Sequence, residues 1–239
     1  MKNNKTALVL GGSGGIGQSI VKRLLSDGYE VHSTYYKNSK FKLDKVNHHY
    51  CNVKSENNLS ELIDDITNDG NYIDLIVFSV TPHITNTKLF DLDSDEIFNH
   101  FEVQVLSLTK IIGFLKNQFE KKHKTKVITI LTEYCFGKPP KNMIHYLISK
   151  YALLGLSKGL AVELANYNST VNMVSPGIVN TELIKDLPPK FIEIAAYQNP
   201  LKRIADVKDV SNIISFLASD ESDYLNGVNI PVNGGNNIL

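Results

Sequence analysis

Seven short runs rich in Val and Ile recur along the chain, and between most of them lie longer segments whose apolar residues return at helical spacing. Alternation of this kind favours a parallel sheet covered by helices on both faces. The runs predict strands near 6–10 (TALVL), 29–34, 46–51, 73–78 (IDLIVF), 126–131 (KVITIL), 170–174 and 228–232. Helices are predicted near 15–27, 56–68, 94–120, 144–166 and 207–219. In the longest of these, Ile97, Phe101, Val105, Leu108, Ile112, Leu115 and Phe119 step by four or three, an amphipathic stripe with Ser94 as its N-cap. With 239 residues the chain suits one α/β domain able to bury a full core. Residues 181–203 break the alternation: they carry Pro188, Pro189 and Pro200 between two strands and read as an insertion above the sheet.

Directly after the first strand stands GGSGGIG, residues 11–17, followed by the helical pattern QSIVKRLLSDG. Glycines in a strand-to-helix turn let the backbone approach a pyrophosphate, and the helix N-terminus offers unpaired N–H groups and a positive dipole. Five glycines in seven residues exceed what a tight turn needs. Other features exclude alternatives. Twenty-five basic and 25 acidic residues balance, which argues against a nucleic-acid binder. Cys51 and Cys135 show no CxxC or His/Cys spacing, so free thiols in a reducing compartment and no metal are expected. The N-terminal apolar run is too brief for a signal peptide and no run approaches a membrane span, so a cytoplasmic location is expected.

Within IHYLISK, residues 144–150, Tyr146 and Lys150 are about one helical turn apart and share a face, within roughly 6 Å along the axis. The glycine turn, YLISK as YxxxK, SPGIVNTEL as PGxxxT and the C-terminal run NPLKRIADVKDVSNIISFLASDESDYLNGVNIPVNGG together resemble the short-chain dehydrogenase/reductase family, near its 3-oxoacyl-(acyl-carrier-protein) reductases. The likeness covers essentially the whole chain. It implies a single Rossmann-type domain over residues 1–239, with a nucleotide-binding half to about 125 and a catalytic half beyond it. The implied sheet has seven parallel strands in the order 3-2-1-4-5-6-7. A homotetramer or dimer is implied, or a hetero-oligomer with another family member, joined through the two long helices and the C-terminal segment.

By this resemblance Tyr146 supplies the proton in a hydride-transfer reaction, while Lys150 eases its ionisation and holds the nicotinamide ribose. The substrate-binding hydroxyl of the fifth strand falls on Thr132 when the strand is aligned, and on Glu133 when residues are counted back from Tyr146. Thr132 is preferred, because a hydroxyl can donate to a carbonyl and an ionised glutamate cannot. The amide that anchors a relay water falls on Gln104. The dinucleotide is expected to touch Gly11, Ser13, Gly14, Gly15, Ile16 and Gly17 in the turn. Further contacts are expected at Ser33, Tyr35, Lys37, Asn52, Val53 and Ser79, and then at Tyr146, Lys150, Pro176, Gly177, Val179 and Thr181. Tyr35 stands where an acidic residue would grip a ribose diol. With Lys37 nearby and Ser13 and Ser33 as phosphate contacts, NADP(H) is expected over NAD(H). Asn52 replaces an adenine-binding aspartate, and FSVT, residues 78–81, replaces NNAG.

The insertion at 181–203, with Leu183, Ile184, Leu187, Phe191, Ile194 and Tyr197, is implied to form a lid suited to an acyl chain. Lys121, Lys122, Lys124 and Lys126 form a basic run that either docks an acidic acyl carrier protein or is a solvated loop. No histidine is assigned a role; His145 adjoins Tyr146 but points about 100° away around the helix. The expected activity is NADPH-dependent reduction of a ketone, with a 3-oxoacyl thioester on acyl carrier protein or coenzyme A as substrate. Two other readings stay open: a weakly active dinucleotide-binding subunit partnering an active reductase, suggested by the changes at Gln104, Thr132 and Phe78 to Ser79, and an alcohol dehydrogenase working oxidatively.

Overall fold

The computed structural model describes residues 5–37, 40–184 and 188–238. Of the insertion's apolar residues, Leu187 and the Leu183 side chain lie outside what is described. Strands β1 (Thr6–Leu10), β2 (Glu30–Tyr35), β3 (Val46–Tyr50), β4 (Leu75–Phe78), β5 (Lys126–Ile130), β6 (Thr170–Pro176) and β7 (Asn229–Val232) form one sheet. Its order is β3-β2-β1-β4-β5-β6-β7, every pair parallel. The chain therefore winds outward from β1 in one direction and from β4 in the other. This leaves a switch point at their carboxyl ends, where Leu10 lies in register with Phe78.

Period-two alternation along the strands divides the core between two faces. Leu8, Leu10, Ile76 and Phe78 pack with Leu59 and Leu62 of α2 (Glu56–Thr67), Leu108 and Ile111 of α4 (Ser107–Phe114), and Leu153 of α6 (Ile144–Ala165). Ala7, Val9, Leu75 and Val77 pack on the other face. Their partners are Ile20, Val21 and Leu24 of α1 (Gly15–Ser26), and Val210, Ile214 and Leu217 of α8 (Val207–Ala218). Burying each such aliphatic side chain stabilises the fold by roughly 1.5–3 kcal/mol. The start of α8 carries a capping box, with Asp206 accepting from Lys208 N and Asp209 accepting from Asp206 N. Among the described residues no helix is long and apolar enough to cross a membrane.

The segment expected as one helix over 94–120 is three helices and a π-turn: α3 (Ser94–Phe101), the π segment Glu102–Leu106, α4, and the short α5 (Lys116–Glu120). A π-turn inserts one residue into the helical count, and it turns Val103, Gln104 and Val105 together into the interior. The N-cap is Asp93 rather than Ser94. Asp93 has extended backbone, and its carboxylate accepts from Asp95 N at 3.1 Å.

The lysine run also differs from expectation. Lys126 opens β5 and is buried, bonded to Ser219 O, to Ser222 Oγ at 2.8 Å and to Asp223 Oδ1 at 2.8 Å. Lys124 pairs with Asp223 at 2.5 Å. Among the described residues of this run, only Lys121 and Lys122 are exposed without a carboxylate partner, and the cluster lies at the N-terminal end of β5, opposite the edge where the parallel strands end. Asp220 and Asp223 fold back onto it, so Lys124 and Lys126 belong to an intramolecular ion-pair group.

Hydrogen bonds from Lys124 and Lys126 hold the Asp223 carboxyl down at about 2. A depressed carboxyl stabilises the fold above its unfolded pKa, and that contribution is lost as pH falls through the folded value. Urea unfolding between about pH 4 and about 2 should therefore show a steep stability loss in wild type and a shallower one in Asp223→Asn. Equal slopes would refute the pairing.

Candidate active site

The β1-to-α1 turn is shaped by close backbone contacts. Gly11 has φ +78°, and a Cβ there would come 2.6 Å from Ser79 O. A Cβ on Gly17 would overlap the Gly11 carbonyl, and one on Gly15 would reach 2.8 Å from the Thr181 side chain. Glycine thus lets the turn lie against the end of β4 and lets the segment after Pro176 close over it. Gly14 caps α1 without a side-chain bond, and the first turn holds no acidic residue. Uncapped first-turn amides at a dipole's positive end, reached through a backbone free of side chains, fit a dinucleotide pyrophosphate.

Along β2 the alternation separates two hydroxyls. Thr34 Oγ1 accepts from Gly11 N at 2.9 Å, fixing the turn. Ser33 points to the other face, where its Oγ is buried without a partner and a Cβ on Gly12 would overlap it. The expectation that Ser33 touches a phosphate is therefore corrected: the glycine turn closes it off. Lys37 is exposed with Nζ 5.9 Å from the Tyr36 ring, and Tyr35 packs edge-on against Tyr50 at 6.0 Å. Ser13 lends its carbonyl to Gln18 Nε2 at 3.0 Å. Asn52 Oδ1 is engaged locally, accepting from Lys54 N at 3.2 Å, while Val53 is buried beside it. Ser79 N donates to Leu10 O at 3.0 Å, and Ile16 packs against the buried cluster behind the turn. Gly177 N donates to Val232 O, and Val179 bridges to Ala205.

Helix α6 brings Tyr146 and Lys150 to this edge. Lys150 is 2% exposed, donates from Nζ to Ile130 O at 2.8 Å and to Thr81 Oγ1 at 3.4 Å, and lies 5.7 Å from the Tyr146 ring centroid. Burial lowers its pKa to about 7. Burial also lifts the Tyr146 phenol above its ordinary range, against the opposing effect of a hydrogen bond with Thr132. The Lys150 ammonium is turned to the Ile130 carbonyl, and desolvation is the largest influence on both groups, moving each toward its neutral form.

Of the two residues that competed for the hydroxyl position, the structure brings Thr132 to Tyr146. Glu133 turns away and is 2% exposed, held by Asn236 and Asn237. Gln104 is fully buried on the π-turn. Its Nε2 donates to Ser149 Oγ at 2.9 Å, Ser149 donates to Tyr146 O at 2.8 Å, and Gln104 Oε1 is left without a partner. Behind Tyr146 sits an imidazole pair that had no assigned role. His145 is fully buried, its ring 4.7 Å from that of His100, with Glu96 at 3.8 Å. Burial pushes His100 down to about 4 and lowers His145, which keeps both neutral. Packing of α3 on α6 makes this pair, and no local spacing announces it. Beside the loop that follows Thr132, α7 (Pro189–Gln198) of the insertion presents Phe191 and Ile194 to a cavity of about 590 Å³ shared with Glu133, Tyr134 and Gly177.

A family model described as enoyl-(acyl carrier protein) reductase matches residues 11–237. The 3-oxoacyl-(acyl-carrier-protein) reductase FabG of Haemophilus influenzae is 30% identical over 241 residues, 97% of either chain. A short chain dehydrogenase family protein from Francisella tularensis superposes with TM-score 0.86 at 27% identity, covering 98% of this chain and 99% of that one. A variant of ElxO with NADPH bound also gives TM-score 0.86, at 22% identity and the same coverage.

Because the folded pKa of Lys150 lies below the unfolded one, the buried ammonium opposes folding below about pH 7, and the penalty vanishes above about 10.4 where lysine is neutral in both states. Lys150→Met should raise the melting temperature by at least about 3 °C at pH 6 without added dinucleotide, and by less at pH 9.5. A gain that grows with pH, or a loss at pH 6, would contradict the burial argument.

Proposed function

The chain belongs to the short-chain dehydrogenase/reductase family, near its 3-oxoacyl-(acyl-carrier-protein) reductases, and we propose that it reduces the ketone of a 3-oxoacyl thioester with NADPH. That it is an NAD(P)-dependent oxidoreductase acting on CH–OH groups follows from the family. The observation that carries the finer reading is the meeting of Thr132, Tyr146 and Lys150 beside the glycine turn.

A nicotinamide dinucleotide held at Gly11–Gly17 would supply hydride to the carbonyl carbon. Thr132 donates its hydroxyl hydrogen to the carbonyl oxygen and orients it. Tyr146 gives its proton to that oxygen as negative charge develops; a phenol kept above its ordinary pKa stays protonated until the alkoxide demands the proton. Lys150 then faces the phenolate across a low-dielectric gap and stabilises it. Gln104 Oε1, buried and unpartnered, anchors the water through which the proton is replaced.

Lys37, exposed at the end of β2 with no carboxylate at position 35, supports NADPH over NADH by pairing with a 2′-phosphate. In the ElxO structure the bound cofactor is likewise NADPH. The apolar face of α7 suits an acyl chain, and a carrier protein delivering it must approach from the lid, since the lysine cluster is at the far end of the strands. Phe98 of α3 and Tyr151 and Val162 of α6 are exposed and suit a subunit interface.

NADPH oxidation with acetoacetyl thioesters should be fast in wild type and at least about 100-fold slower in Tyr146→Phe, with NADPH binding retained. Lys37→Ala should weaken NADPH about tenfold, the loss of one phosphate contact of roughly 1.4 kcal/mol, and leave NADH unchanged. Equal slow oxidation by wild type and Tyr146→Phe would overturn the proposal, as would exclusive reduction of crotonyl thioester, the substrate class named by the family model.

A further inference from the structure

Glu133 is a carboxylate buried next to Thr132, satisfied by amide donors and not by a cation. Asn237 Nδ2 donates to Oε2 at 2.9 Å, and Asn236 Nδ2 lies 3.1 Å from both oxygens. These asparagines follow β7, so the C-terminal segment folds back onto the loop after β5. The fit is close from both sides: a Cβ on Gly137 would come 2.5 Å from Asn237 Nδ2, and one on Gly177 would come 3.1 Å from Glu133 Oε1.

The same segment is tied to the lid. Asn199, immediately after α7, donates from Nδ2 to Asn233 O at 2.8 Å and accepts from Leu201 N at 2.9 Å. Gly234, at φ +63°, has no side chain where a Cβ would sit 2.5 Å from Asn199 Oδ1. Asn233 in turn donates from Nδ2 to Asn237 O at 2.8 Å, and its Oδ1 accepts from Gly235 N at 3.1 Å. An unbroken chain of amide hydrogen bonds therefore runs from the end of the lid helix through the tail to the residue beside Thr132.

We propose that Glu133, Asn237 and Asn233 are positioning residues: they clasp the C-terminal tail between the lid and the Thr132 loop, so that the hydroxyl is held in line with Tyr146 when the lid seats. The inference rests on the role assigned to Thr132 above. Glu133 itself touches no reacting atom in this account. It acts through the backbone it shares with Thr132, and a misplacement on the order of 1 Å at a reacting group can cost about 100-fold in rate.

The test is a donor swap followed by steady-state kinetics on acetoacetyl thioester. Asn237→Asp sets a second carboxylate against Glu133 and should lower kcat by about tenfold or more, with KM for NADPH held within about twofold because the glycine turn is untouched. Glu133→Gln/Asn237→Asp places an amide opposite the new carboxylate and should recover most of the wild-type kcat. If Asn237→Asp does not fold, Asn237→Ala, which removes the donor without adding charge, should show a smaller kcat loss. An unchanged kcat in the folded single variant, a double variant no better than the single, or a matching rise in KM for NADPH would overturn the clasp. Wild-type activity lost in Tyr146→Phe is the control: if wild type is active and Asn237→Asp is indifferent, only the clasp falls, whereas an inactive wild type removes the Thr132 role and the clasp with it.

Discussion

An ammonium buried inside an apolar fold is unfavourable unless the surroundings repay its lost water, and the whole carboxyl edge of this sheet is arranged around one. Lys150 sits on α6 with its tip against Ile130 O, near Thr81, and 5.7 Å from the centre of the Tyr146 ring. The parallel sheet makes this possible: where β5 ends, its last carbonyl faces α6 with a free lone pair. The glycine turn of β1 and the segment after β4 meet at the same edge, so Lys150, Tyr146 and the dinucleotide cradle occupy one neighbourhood by topology alone.

Burial has a further consequence for the chemistry. It moves lysine and tyrosine in opposite directions: Tyr146 rises and keeps its proton, while Lys150 falls to about 7 and is still partly charged near neutral pH. A neutral phenol is a competent acid only toward a strong base, which is what hydride delivery to a carbonyl generates. The neighbouring histidines follow the same rule and are held neutral at physiological pH. The phenol thus withholds its charge until the substrate oxygen takes its proton.

Much of this was readable in the residues. The seven strands, their parallel arrangement and the glycine turn follow from apolar runs and spacing, because each is fixed by local pattern, whereas the strand order comes only from the family resemblance. What the pattern hid was tertiary. A stripe stepping by four or three over 94–120 tolerates a π-turn without changing its look, yet that turn is what points Gln104 inward. Ser33 and Thr34 are adjacent hydroxyls, and only the strand's facing decides that one fixes the turn while the other is sealed beneath it. The lysine run 121–126 looked like a solvent-facing patch until acidic residues a hundred positions later folded onto it. The link between Glu133 and the C-terminal asparagines is likewise nonlocal, and no motif marks it.

The central claim, that burial at the sheet's carboxyl edge tunes the Lys150–Tyr146 pair, is tested most directly by heteronuclear NMR titration of the lysine side chains, with Lys150 assigned by its absence in a Lys150→Met sample. Lys150 should titrate near about 7, separated by roughly three pH units from the surface lysines near 10.4. A Lys150 resonance that titrates together with the surface lysines would contradict the account.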